Sequence, residues 1–193
     1  MNSISYTFDI RQATEAMVYL LGLAGGTMNY MKAIKILYLA DRDSILRGHD
    51  PITTDSYKSM KFGPVTSCIY DCIKYGDEEL WSTYIRKDGY EISKKADIEY
   101  NMLSIAERKT ISSVYEKFKD NTQYELAEYC HANLPEWEDP HGSSIPISIE
   151  AIIESGDLSP EMKKDVLEEL EVGSWIQKNN FRVQKRTGLD ERR

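Results

Sequence analysis

An apolar run that carries one acid is the feature that most constrains the fold of this chain. From Ile34 to Arg42 the residues are Ile-Lys-Ile-Leu-Tyr-Leu-Ala-Asp-Arg. Asn29 is placed to cap a helix from about Tyr30 to Leu46, and the apolar residues of that helix nearly encircle its axis. A helix that is apolar on all sides is normally buried. The sequence therefore predicts a central helix inside one core.

Two further signals predict what surrounds this helix. Gly63-Pro64 places proline where a helix to Tyr75 would begin, because the first helical position needs no N–H, and residues 56–61 are expected to be extended. Asp88-Gly89 lies between two short runs of strand-forming residues. Such a dipeptide favours the tight turn of a β-hairpin, since both central residues need positive φ.

Helix-capping patterns complete the expected architecture. They are Asp9 with Gln12, Ser104 with Glu107, Thr122 with Glu125, and Ser159-Pro160-Glu161. We predict a mainly α (α+β) fold, with one globular helical domain over residues 9–144 that contains a small β-hairpin or sheet. Residues 145–193 are predicted to form a C-terminal helical extension that ends in a frayed basic tail.

Charge and composition exclude several classes of function. The net charge of -8 and the pI near 5.0 disfavour nucleic-acid binding, because phosphates repel an acidic surface. The chain has no apolar run long enough to span a bilayer and no signal-peptide pattern near Met1, so we expect a cytoplasmic protein without a membrane partner. Three cysteines without secreted spacing predict no disulfide.

The cysteines allow two interpretations. Cys68 and Cys72, with Cys130 and His131, could be a zinc set, since two cysteines four apart can share a helix face. Both thiols of the first pair also continue the apolar stripe of their helix, where free cysteine packs as a small hydrophobe. We favour core packing and predict no metal and no cofactor.

Asp41 lies on an otherwise apolar helical stripe, so its carboxylate needs buried partners. We expect it to hold the loop after its helix by accepting hydrogen bonds from backbone N–H groups, from Tyr57 or from the start of the helix at Gly63-Pro64. A catalytic role or a partner contact are the alternatives. Known nucleophile, phosphate-loop and metalloprotease motifs are missing from the sequence, so we predict no catalytic residues. A hydrolase-like enzyme using Asp41 and His131 is the alternative from a different class.

One ordered set of motif residues runs along the chain: Leu37, Tyr38, Asp41, Tyr57, Gly63, Pro64, Val65, Tyr70, His131 and Trp137. In this order and spacing they resemble the Panacea domain of the SocA-like antitoxins. The resemblance covers about residues 10–140. It assigns backbone freedom to Gly63, the start of a helix to Pro64, helix contact to Tyr38 and Tyr70, and packing to Trp137.

The resemblance implies an antitoxin that neutralises a cognate toxin, encoded by an adjacent gene, through direct binding. A proteolytic adaptor that delivers the toxin to a protease is the alternative within this family, and homo-oligomerisation is left open. Residues 150–171 carry eight acids against two lysines, a charge that would complement a basic toxin active site. The apolar residues of the C-terminal extension either pack back on the domain or contact the toxin. The candidates for toxin contact are Met162, Val166, Leu167, Leu170 and Trp175.

Overall fold

The computed structural model describes residues 3–76 and 78–187. Eight helices occur in these residues. They are α1 (Ile10–Leu23), α2 (Tyr30–Leu46), α3 (Ser67–Tyr75), α4 (Glu79–Tyr84), α5 (Ile105–Phe118), α6 (Gln123–Asn133), α7 (Ile149–Ser155) and α8 (Pro160–Thr187). No helix in the described ranges is long and apolar enough to cross a bilayer.

The strands form two small antiparallel sheets of three strands each. The strands are β1 (Thr27–Asn29), β2 (Tyr57–Met60), β3 (Gly63–Thr66), β4 (Ile85–Asp88), β5 (Glu91–Lys94) and β6 (Ile145–Ile147). One sheet has the order β1-β5-β4 and the other the order β3-β2-β6. The predicted mainly α fold with a small β component is confirmed.

Helix α2 forms the centre of the core and begins and ends at the predicted residues. Asn29 caps it by accepting a hydrogen bond from the Met31 N–H at 3.0 Å. Helices α1, α5, α6 and α7 and strand β3 all pack against it. The side chains of Ile36, Leu37 and Tyr38 are therefore fully buried, as a helix that is apolar on every side requires.

The predicted helix start at Gly63-Pro64 is wrong. These residues begin strand β3, which pairs with β2, and helix α3 begins only at Ser67. Strand β3 is the edge strand of its sheet, and an edge position tolerates a proline that cannot donate to a ladder. The φ of Gly63 is 103°, so the predicted need for backbone freedom before Pro64 is confirmed.

The predicted β-hairpin is present, but its turn lies one residue later than the sequence pattern indicates. Asp88 pairs with Glu91, so Gly89 and Tyr90 form the loop between β4 and β5. Only Gly89 has a positive φ, at 58°, which is the requirement of a turn with glycine first. Strand β1 extends this sheet on its other side and was not predicted, because three residues are too few to show an alternating pattern.

The segment after residue 144 contributes to both sheet and core. Strand β6 adds to β2, α7 packs against α2, and Ser159 caps α8 by accepting a hydrogen bond from the Met162 N–H at 3.2 Å. Helix α8 continues to Thr187, and the part of the predicted frayed tail beyond it lies outside the described residues. The division into domains at residue 144 stays a prediction.

Candidate functional site

Asp41 joins helix α2 to the loop that follows it. Its side chain is fully buried. Oδ1 accepts a hydrogen bond from the Thr53 N–H at 2.9 Å, and Oδ2 accepts one from the Thr53 hydroxyl and one from the Tyr57 hydroxyl, the latter at 2.9 Å. The backbone and Tyr57 donors are those that the sequence predicts. The third predicted donor, the start of a helix at Gly63-Pro64, is absent because those residues are strand.

Burial dominates the protonation of this carboxyl group. Desolvation raises the pKa of Asp41 to about 7, although the hydrogen bonds from Thr53 and Tyr57 act in the opposite direction. Both oxygens are occupied by donors and neither reaches solvent. The geometry therefore suits a polar lock inside the core and leaves no room for a substrate beside Asp41.

Asp55 performs the role at the start of α3 that the sequence assigned to Asp41. Its two oxygens accept hydrogen bonds from the backbone N–H groups of Cys68 and Ile69 at 2.8 and 2.9 Å. Free N–H groups at a helix start favour a carboxylate there. No local capping pattern marks Asp55 in the sequence, because it lies 13 and 14 residues before the N–H groups whose hydrogen bonds it accepts.

A third buried carboxylate, Glu136, ties the loop after α6 to helices α2 and α7. Its Oε1 accepts hydrogen bonds from the Tyr38 hydroxyl at 2.9 Å and from Arg42 Nε at 2.7 Å, and its Oε2 accepts one from the Ser155 hydroxyl at 2.7 Å. Burial acts to raise the pKa of Glu136, but the bonds from Arg42 and Ser155 outweigh it and the pKa is lowered. Tyr38 also packs edge-on against Tyr57 at 5.3 Å, so the two carboxylate clusters are in contact.

His131, in the last turn of α6, stacks on Trp137 of the same loop. Their ring centroids are 3.9 Å apart, and the indole N–H of Trp137 donates to the Met60 carbonyl at 3.0 Å. This is a packing arrangement that fixes the loop on strand β2. In the described part of the chain, His131 shares no hydrogen bond with Asp41, the residue that the enzyme alternative pairs with it.

The three cysteines are free thiols. Cys72 and Cys130 lie in the core, whereas Cys68 is only half-buried. Burial raises the pKa of Cys130 to about 12, so its thiol stays protonated at neutral pH. Across residues 3–76 and 78–187, no three histidine, cysteine, aspartate or glutamate side chains are grouped to hold a metal ion.

Lys35 is a buried cation that sequence analysis did not single out. It lies on α2 with 2% of its surface exposed, and its Cε is so close to Gly63 that a Cβ there would be 3.2 Å away. The absence of a Gly63 side chain thus makes room for Lys35. The available signal was a lysine inside a helix that is otherwise apolar all round. Val65 is buried in the same region, and Tyr70 is half-buried beside it.

The five candidate toxin-contact residues of α8 fall into two groups. Val166 and Leu170 are buried, with 7% and 0% exposure, and Leu167 packs against the core. Met162 and Trp175 are exposed, at 52% and 67%. Val172 and Ile176 are exposed as well, and with Trp175 they follow the i, i+3, i+4 spacing of one helix face. We call Val172, Trp175 and Ile176 the α8 patch.

The fold and these clusters define a helical domain whose buried carboxylates hold elements together. A family model described as Antitoxin SocA-like, Panacea domain, matches residues 34–138, which is more than half of the chain. The chain belongs to this family of antitoxin-like proteins, as its motifs predict, although the match begins at residue 34 rather than near residue 10. Curated proteins and solved structures give no match.

Proposed function

We propose that this protein is an antitoxin that neutralises a cognate toxin by direct protein–protein binding. Membership of the antitoxin family over residues 34–138 is the observation that carries the proposal. The buried carboxylates support it, because Asp41 and Glu136 have their oxygens occupied by donors from the same chain. Such groups stabilise a scaffold that presents a surface.

The α8 patch is the part of that surface that we assign to the C-terminal extension. Helix α8 is held on the domain by Leu170 in the core and by Gln177, whose amide pairs with both the N–H and the carbonyl of Thr7. The opposite side of the helix therefore presents its exposed apolar residues in a fixed position. Aromatic residues such as Trp175 are enriched at the energetic centres of interfaces.

Co-expression of the chain with the product of the neighbouring gene tests the function. An antitoxin of this kind restores growth, co-purifies with the toxin and leaves the half-life of the toxin unchanged or longer. Restored growth with a shortened toxin half-life would instead indicate a proteolytic adaptor. No rescue by a folded chain would remove this gene product as the partner and contradict the proposal.

Two matched variants test the α8 patch within the same assay. Trp175→Glu should weaken co-purification, because it places a charge in the centre of the exposed apolar patch. Tyr124→Glu is the control, since Tyr124 is a similarly exposed aromatic residue, at 59%, on helix α6. Equal binding by both variants would exclude the patch from the interface.

A further inference from the structure

Lys35 differs from the other buried charged groups because no acceptor among the described residues pairs with it. Glu15, Asp41, Asp55 and Glu136 all accept hydrogen bonds from N–H or O–H groups. Within the described residues the Lys35 Nζ has no hydrogen-bond partner and no carboxylate within 4.0 Å. The residue as a whole is 2% exposed, whereas its Nζ is not fully enclosed. A cation on a buried side chain without a protein partner costs stability, so its presence indicates a use outside folding.

Lys35 lines a cavity of about 340 Å³. The cavity lies between the first half of α2 and the tip of the β2–β3 hairpin, with α3 and the β4–β5 turn completing its walls. Its apolar walls are half aromatic and half aliphatic. The aromatic residues are Tyr30, Phe62, Tyr70 and Tyr90, and the aliphatic ones are Met31, Ile34, Met60 and Val65. A site with apolar walls and one fixed charge is typical of pockets that take a side chain or a small ligand.

Further lysines surround the mouth of this cavity. Lys61 lines it directly, Lys87 Nζ lies 5.6 Å from the ring centre of Tyr30, and Lys74 Nζ lies 5.9 Å from that of Tyr70. The chain as a whole carries a net charge of -8, so this is a local reversal of its average charge. A positive patch of this kind attracts an acidic partner segment.

We propose that this cavity receives an acidic side chain of the toxin, whose carboxylate pairs with Lys35 while neighbouring apolar groups of the same segment pack on the aromatic walls. The inference rests on the proposed antitoxin function and adds the chemistry of the recognised segment. We call the site the Lys35 pocket, defined by Lys35, Tyr30, Phe62, Tyr70 and Tyr90.

A carboxylate fits the pocket better than a phosphate does. Lys35 supplies one ammonium group to the pocket. Burial lowers the pKa of Lys35 to about 8, so this group is still mainly charged at neutral pH. A carboxylate carries one negative charge and matches that supply. A phosphate group carries more charge and more acceptor oxygens than Lys35 alone can pair, so it would have to draw on Lys61 and on the tyrosine hydroxyls as well.

Lys35→Met separates binding from folding. Methionine keeps an unbranched apolar side chain of similar reach and removes the charge, so the free chain should be as stable as the wild type or more so. Binding to the toxin should weaken by about 30-fold or more, because the carboxylate of the toxin would then be buried without a partner. Lys109→Met is the matched control, because Lys109 is exposed on α5 and does not line the cavity, so its loss should change the affinity by less than about 5-fold.

The experiment is calorimetric titration of the full-length chain with an inactive variant of the toxin, for the wild type and both lysine variants. Alanine variants of the acidic residues of the toxin, titrated against the wild type and against Lys35→Met, complete a double-mutant cycle. One of them should lose affinity against the wild-type chain and show no further loss against Lys35→Met, which identifies the paired carboxylate.

Several outcomes would overturn the inference. If the wild type forms a complex and Lys35→Met binds within about threefold of it, the pocket proposal alone fails. If the folded wild type forms no complex, the proposed function fails and the pocket proposal fails with it. Binding of a short poly(dT) strand that is weakened by Lys35→Met would assign the pocket to a phosphate ligand and contradict the carboxylate.

Discussion

The hydroxyl of Tyr38 donates a hydrogen bond to Oε1 of Glu136 across 2.9 Å, although 98 residues separate the two in sequence. Arg42 Nε donates to the same oxygen at 2.7 Å. Tyr38 and Arg42 lie one turn apart on α2, so one carboxylate fixes the face of the central helix against the loop after α6. The family match ends inside this loop, at residue 138.

Removal of the Glu136 carboxylate should destabilise the protein strongly. Glu136→Ala leaves Arg42, whose side chain is only 18% exposed, without its partner. We predict a loss of about 3 kcal/mol in the free energy of unfolding, measured by urea denaturation. Glu128→Ala on the exposed face of α6 is the control and should change it by less than about 0.5 kcal/mol. Similar losses for both variants would show that the buried cluster contributes nothing specific.

Asp41 should make stability depend on pH in the direction opposite to that of an ordinary carboxylate. Burial raises the pKa of Asp41 to about 7 in the folded protein, from an unfolded value of 3.8. Between these two pH values the folded state binds one more proton than the unfolded state does. The stabilisation that Asp41 contributes is therefore present below about pH 4 and is lost as the pH rises through about 7. The slope from this group is at most about 1.4 kcal/mol per pH unit.

Asp41→Asn provides the measurement, because asparagine cannot titrate. The difference in unfolding free energy between wild type and variant should grow in favour of the wild type as the pH falls from 8 to 5. The other titrating groups are common to both proteins and cancel in this difference. A difference that stays constant with pH would show that Asp41 keeps its ordinary pKa.

Gly63 should be more sensitive to substitution than its backbone conformation alone explains. A Cβ at Gly63 would lie 3.2 Å from Lys35 Cε and 3.4 Å from Cys130 Cβ. Gly26 has nearly the same φ, 100° against 103°, and open space around it. Gly63→Ala should therefore cost about 1 kcal/mol more than Gly26→Ala in thermal or urea unfolding. Equal costs would mean that the space beside Lys35 is not restricted.

Helix α8 should show separate effects on stability and on binding. Leu170 is fully buried, so Leu170→Ala should cost about 3 kcal/mol of stability. Trp175→Glu should leave stability within about 0.5 kcal/mol of the wild type, because the side chain is 67% exposed, and should act on toxin binding instead. Chemical denaturation of both variants checks this division. A stable Leu170→Ala protein would mean that α8 does not pack on the domain in solution.

Local patterns account for the elements that the sequence predicts well. The capping boxes of α5 and α6 are present as expected, with Glu107 and Glu125 bonded reciprocally to Ser104 and Thr122. Asn29 and Ser159 cap their helices for the same reason. Each of these signals lies within three residues of the N–H group that it satisfies, so no tertiary knowledge is needed to recognise it.

Long-range pairing accounts for what the sequence does not predict. Gly63-Pro64 has the local pattern of a helix start, but pairing with β2 makes it a strand. Glu136 has no local pattern in the sequence that marks it as buried, and its partners Tyr38 and Arg42 come from the distant helix α2. Lys35 lines a cavity because residues of the β2–β3 hairpin pack beside it, and these residues are distant from it in sequence. These are properties of contacts between distant residues, which a single sequence does not display.

Titration of purified, active toxin with the purified chain tests the central claim most directly. Direct neutralisation predicts that toxin activity falls in proportion to the added chain and ends at a fixed molar ratio, with a complex of that composition in solution. Loss of activity at far less than one chain per toxin would indicate turnover, as in an enzyme. Full toxin activity at saturating chain, with neutralisation seen only in cells, would contradict direct binding as the mechanism.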